Sequence, residues 1–164
     1  MNTLTFTFYR NTSFLAKLIK YITFGRFNHV GVRFETGNKV KFIESMGGSL
    51  KIFWGVGAYR SEYTNHPYAL KNPALIERIV FTVPQPVLQQ ILEHTETRVG
   101  THYGILDFLR YGLRFLPRGK GYTCSELATE VYEMMTGQSV RNSVSPQQLY
   151  YIIKAYKMGT SWKN

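Results

Sequence analysis

The stretch from Asn28 to Met46 constrains the fold of this chain more than any other. Two alternating runs, NHVGVRF and VKFIESM, flank the turn Glu35-Thr36-Gly37-Asn38-Lys39. Gly37-Asn38 suits a tight hairpin, and the flanking alternation predicts two half-buried strands. Side chains two residues apart on a strand share a face. With Thr36 opposite Lys39, His29 falls opposite Met46 and Gly31 opposite Glu44. These four then point to one side, with His29 and Glu44 as diagonal neighbours within reach of each other. Gly31, lacking a side chain, leaves room for them to meet. Val30, Val32, Phe34 and Ile43 take the other face as core. A slip of one residue would reverse both faces.

The second informative stretch, GKGYTCSELATEVYEMMTG, runs from Gly119 to Gly137 and holds the only cysteine, Cys124. Thr123 is a good N-cap and Glu126 follows three residues later, which predicts a capping box. Leu127, Ala128, Val131, Met134 and Met135 recur at helical spacing, and Gly137 supplies a left-handed stop. Cys124 is then the first residue of a helix, where unpaired N–H groups and the macrodipole favour negative charge. A thiol so placed is biased toward thiolate, the nucleophilic form. A small buried cysteine in a helix capped for stability alone fits the same residues, and the helix by itself does not separate the two readings.

The rest of the chain frames these stretches. Leu4–Tyr9 alternates as a strand. A short helix carries Phe14, Leu15, Leu18, Ile19 and Ile22 and ends near Gly25, with Lys17 and Lys20 off its apolar stripe. It reads either as a helix packed on its own domain or as a basic amphipathic helix resting on a membrane. Leu50–Tyr59 and Leu75–Val83 read as strands, and Tyr63–Pro73 as a loop. Pro84-Gln85-Pro86 opens a helix to about Val99. A further helix spans about Ile105 to Leu116, and Ser145-Pro146 starts the last, which runs to about Tyr156. No repeat or domain boundary is visible, so residues 1–164 read as a single α+β domain.

Twenty basic against ten acidic residues give a net charge of +10, which suits an anionic polymer or membrane surface. The basic residues are scattered and no nucleic-acid motif appears, so nucleic acid is not an expected partner. One cysteine excludes an internal disulfide framework and any multi-cysteine zinc site. No cofactor is expected, and the spacing of the histidines predicts no metal. The chain shows no signal-peptide pattern and no 18-residue apolar run. The expectation is a monomeric cytoplasmic protein, or a phage-type protein exported without a signal.

A cysteine-hydrolase site needs a thiolate, an adjacent imidazole and a polar group that orients the ring. Cys124 and the His29–Glu44 pair offer all three. FNHVGVRF, FIES, GTHYGILDF, YTCSELATEVY and VSPQQL together resemble the permuted NlpC/P60 group of papain-like hydrolases, the YiiX/YebB type. The resemblance spans roughly Phe27 to Leu149. It implies a papain-like antiparallel sheet or partial barrel with the cysteine helix packed against it. It also implies histidine before cysteine in the chain, with Cys124 as nucleophile, His29 as base and Glu44 as orienting acid. Oxyanion contacts would come from the backbone around Cys124 and Ser125, with the hydroxyl of Tyr103 or Tyr122. The implied substrate is an amide, ester or thioester, for example a cell-wall peptide or a lipid-linked amide. A catalytically silent papain-like adaptor or inhibitor is the competing reading.

Other polar residues have plainer expectations. Asp107, the only aspartate, is an alternative third member of the site or a helical hydrogen-bonder. Glu126 is the capping acid. His66 and His94 are expected to be solvated, and His102 could line the cleft.

Overall fold

The computed structural model describes residues 2–12, 14–46, 55–59, 75–103, 121–140 and 144–161. Five strands, β1 (Asn2–Tyr9), β2 (His29–Thr36), β3 (Lys39–Met46), β4 (Gly55–Tyr59) and β5 (Ile76–Thr82), form one sheet in the order β4-β3-β2-β1-β5. Every pairing is antiparallel. Four helices accompany it among the described residues: α1 (Phe14–Thr23), α2 (Gln85–Glu96), α3 (Cys124–Thr136) and α4 (Pro146–Ser161). The fold is α+β, as the sequence predicts.

The alternation that predicts the strands also places the core. Leu4, Phe6 and Phe8 of β1, Val30, Val32 and Phe34 of β2, and Ile43 of β3 form one buried face with Ile79 and Phe81 of β5. Against it pack Leu88 and Ile91 of α2, Leu127, Ala128 and Val131 of α3, and Leu149 and Ile153 of α4. A side chain of this size contributes about 1.5–3 kcal/mol when fully buried, so this layer holds the helices to the sheet. A smaller cluster of Tyr9 and Phe42, with Ile76 against it, lies apart from that core.

The hairpin turn is as expected, with Thr36 opposite Lys39 and Val32 opposite Ile43. The ladder between β2 and β3 ends there, so the expected pairs His29–Met46 and Gly31–Glu44 do not extend it. Residues 29–31 stay paired with Tyr9, Phe8 and Thr7 of β1, while residues 44–46 stay paired with Gly57, Val56 and Gly55 of β4. Each strand keeps its outer neighbour, and the inner pairing gives way.

Beyond β4 the edge is closed by the segment that follows α2. Gly55 bridges His102, Val56 N–H donates to Thr101 O at 2.9 Å, and Gly100 N–H donates to Val56 O at 2.9 Å. A Cβ on Gly55 would lie 2.1 Å from Thr101 O, so only glycine permits this approach. Tyr122 N–H then donates to His102 O at 3.0 Å, which leads the chain into α3. The last helix is longer than expected, running to Ser161. The expected helix at 105–116, the loop at 63–73, residues 50–54, Asp107 and His66 lie outside the described residues.

Candidate active site

The start of α3 follows from its sequence. Thr123 Oγ1 accepts from Glu126 N–H at 3.2 Å, and Thr123 N–H donates to the Glu126 carboxylate at 2.9 Å. This reciprocal capping box holds Cys124 as the first helical residue. Gly137 closes the helix in the left-handed conformation, with φ of 70°. Glu126 is therefore occupied as the capping acid. Cys124 is 4% exposed and packs with the core.

His29 opens β2, and its neighbours restrict it on three sides. Its Nε2 lies 2.6 Å from Glu44 Oε2, and Glu44 is fully buried. The Tyr9 ring, on the strand position directly opposite His29, sits 5.6 Å from the imidazole at an angle of 38°. The Cys124 side chain lies close enough to the imidazole to act on its charge. Thiol, imidazole and carboxylate from three elements thus meet in one buried cluster, with the imidazole hydrogen-bonded to the carboxylate.

Burial alone would push the His29 pKa down. Negative charge at Cys124, hydrogen bonds to Cys124 and Glu44, and the Glu44 charge outweigh it and raise the pKa from 6.5 to about 10. The imidazole is thereby held as imidazolium through neutral pH.

Gly31 has a different role from the one its sequence position suggests. The space above it is filled by the Phe42 ring, whose Cζ would lie 2.2 Å from a Cβ at position 31. The glycine therefore seats Phe42 in the Tyr9 cluster beside His29 and does not leave an open gap for His29 and Glu44. Tyr103 is buried and bridges Tyr122 just before α3. The Tyr122 ring lies under the Arg98 guanidinium, 5.4 Å away, and Ser45 Oγ donates to Tyr122 O. Ser125 is buried.

His94 is not merely solvated. Its Nε2 lies 2.8 Å from Glu130 Oε1, and Arg98 Nη2 donates to the same oxygen at 2.7 Å. Burial would raise the Glu130 pKa, but its bonds to Arg98 and His94 lower it on balance. This cluster straps α2 to the cysteine helix. His102 is exposed at the sheet edge. Sequence reasoning also missed Tyr9 and Ser45. Tyr9 had a signal in its alternation, but its register against β2 depends on a pairing across α1. Ser45 had none.

Among the described residues, no group of three or more His, Cys, Asp or Glu side chains is arranged to hold a metal ion. No helix among them is long and apolar enough to cross a membrane.

No family model and no curated sequence matches this chain. Among solved structures, the metalloprotein YiiX from Escherichia coli O157:H7 shares its fold, with a TM-score of 0.57 and 17% sequence identity. The match covers 84% of this chain and 68% of that one.

Proposed function

We propose that the protein is a papain-like cysteine hydrolase in which Cys124 attacks an amide or ester carbonyl. The observation that carries this reading is the buried cluster in which Cys124 acts on the charge of His29 and His29 is hydrogen-bonded to Glu44. Its likeness in fold to YiiX and the order of histidine before cysteine support a permuted member of that architecture.

In the proposed reaction, Cys124 attacks as a thiolate, its proton already held by His29. The sulfur forms a bond to the carbonyl carbon, and the carbonyl π electrons move to oxygen. Backbone N–H groups at the start of α3 face the developing oxyanion, and each such donor is worth roughly 3–4 kcal/mol in well-studied hydrolases. His29 then protonates the leaving amine or alkoxide as its bond to carbon breaks. Water adds to the thioester, passing its proton to His29, and the collapse returns the thiolate. Glu44 holds the ring orientation throughout and stabilises the imidazolium. YiiX is a metalloprotein, but the described donors here do not fit a metal, and no step is routed through one.

The substrate class we favour is a peptide amide of the bacterial cell wall, which also suits a chain of net charge +10. The test is hydrolysis of muropeptides together with labelling by a peptide bearing a reactive carbonyl, read by intact mass. Adduct and turnover should both vanish in Cys124→Ala. Unchanged hydrolysis in that variant, on a substrate the parent protein cleaves, would end the proposal.

A further inference from the structure

The outer face of α1 has no role in the site, and its composition is unusual. Ala16 and Ile19 are buried, while Lys17 and Tyr21 are exposed, Lys20 is half-buried, and exposed Phe24 follows the last helical residue. Tyr21 is 75% exposed and Phe24 is 94% exposed, and their rings lie 6.5 Å apart. The helix contains no acidic residue.

Phe24 is costly twice over. Its φ is 50°, a left-handed conformation that bulky residues rarely adopt and that glycine takes freely at a helix end. Its ring contributes nothing to the core. A strained backbone carrying an exposed aromatic ring is a combination that stability alone does not explain.

The patch continues onto α4. Gly25 abuts Gln147, because a Cβ at position 25 would lie 2.7 Å from Gln147 Cβ. Gln147 Oε1 accepts from Arg26 N–H at 2.6 Å and Phe27 N–H at 3.2 Å. One and two turns beyond Gln147 on the same face stand Tyr151 and Lys154, and Tyr151 is 60% exposed.

We infer that this face docks the protein on an anionic lipid surface. Aromatic rings and lysines are the side chains that settle at headgroup depth, with rings inserted and ammonium groups reaching to phosphate. A ten-residue helix is suited to lie in that interface and not to cross it. The net charge of +10 adds long-range attraction to anionic headgroups. The surface is coupled to the candidate site through Asn28, the residue before His29. Asn28 Nδ2 donates to Asn11 O at 2.8 Å and to Ala16 O at 3.3 Å, and its Oδ1 accepts from Asn11 N–H at 3.0 Å. Docking would therefore set how the His29 strand is presented to the membrane. This inference stands apart from the hydrolase reading, since it uses none of the catalytic residues.

The test is co-sedimentation of the full chain with vesicles of phosphatidylcholine alone or mixed with phosphatidylserine, at low and high salt. The protein should pellet with the mixed vesicles and be released by salt. Lys17→Gln and Lys20→Gln should each weaken binding about fivefold. Phe24→Gly should weaken it by about tenfold or more, while its melting temperature stays the same or rises, because glycine accepts the left-handed conformation. Opposite movements of binding and stability are what a merely structural Phe24 would not give. Absence of a preference for anionic vesicles, or unchanged binding in Phe24→Gly, would overturn the inference. So would a concentration-dependent dimer without lipid that Phe24→Gly dissolves, since the face would then belong to a second copy.

Discussion

Replacing Glu44 by Gln tests the electrostatics of the site most directly, because the carboxylate is fully buried and its partner is known. The amide keeps an acceptor for His29 but removes the charge. A hydrogen bond to a charged group is worth about 1.5–3 kcal/mol. At 1.36 kcal/mol per pH unit, His29 should release its proton about one to two units earlier. The single cysteine makes alkylation by iodoacetamide, read by intact mass, an unambiguous report on the thiolate. An ordinary thiol is about 0.3% ionised at pH 6. His29→Ala should therefore slow alkylation at pH 6, by at most about 300-fold. Glu44→Gln should fall between, roughly tenfold to a hundredfold slower than the parent. All three rates should converge near pH 10, where His29 gives up its proton in the parent protein. Rate ratios that do not change with pH would mean the substitutions alter access to the buried sulfur and not its protonation, and the reasoning would fail. Linkage gives the same site a second readout. Because the folded pKa of about 10 exceeds 6.5, the stabilisation is complete below pH 6.5 and disappears as pH rises through 10. Its ceiling is on the order of 5 kcal/mol, and urea titrations of the parent and His29→Ala should draw together across that window.

Gly31→Ala should cost about 1–3 kcal/mol through overpacking against Phe42, seen as a fall of several degrees in melting temperature, and should slow alkylation by disturbing the ring beside His29. No change in either would show that Phe42 moves aside freely. Thr123→Ala removes the side-chain acceptor of the α3 cap and should cost about 1 kcal/mol. For a chain of this size that is a drop of about 2–4 °C by calorimetry.

What the sequence reveals here is what is local. The Gly37-Asn38 turn and the Thr123–Glu126 cap each declare themselves within a few residues, and they correctly give the hairpin register and the helix start. That register turns His29 and Glu44 to one side, although the ladder itself stops at Val32–Ile43. The surroundings of the pair do not follow from it, because where the β2–β3 ladder ends is tied to the outer pairings with β1 and β4, and β1 is separated from β2 by α1. Gly31 shows the same limit: the absence of a side chain is visible, but its neighbour Phe42 is not. His94 looks like a solvated helix residue until Glu130, 36 residues away, is placed beside it. The meeting of Cys124 with His29 joins residues far apart in the chain, and spacing alone cannot decide it.

The close passage of Gly55 beneath Thr101 has a consequence for how variation in this protein would read. Through His102 and Tyr122, that backbone crossing is hydrogen-bonded to the residues that lead into Cys124. A methyl group at position 55 would push the crossing apart and carry the sulfur with it. Such a change would behave in a genetic screen like a lesion of the proposed site, although the altered residue bears no functional group.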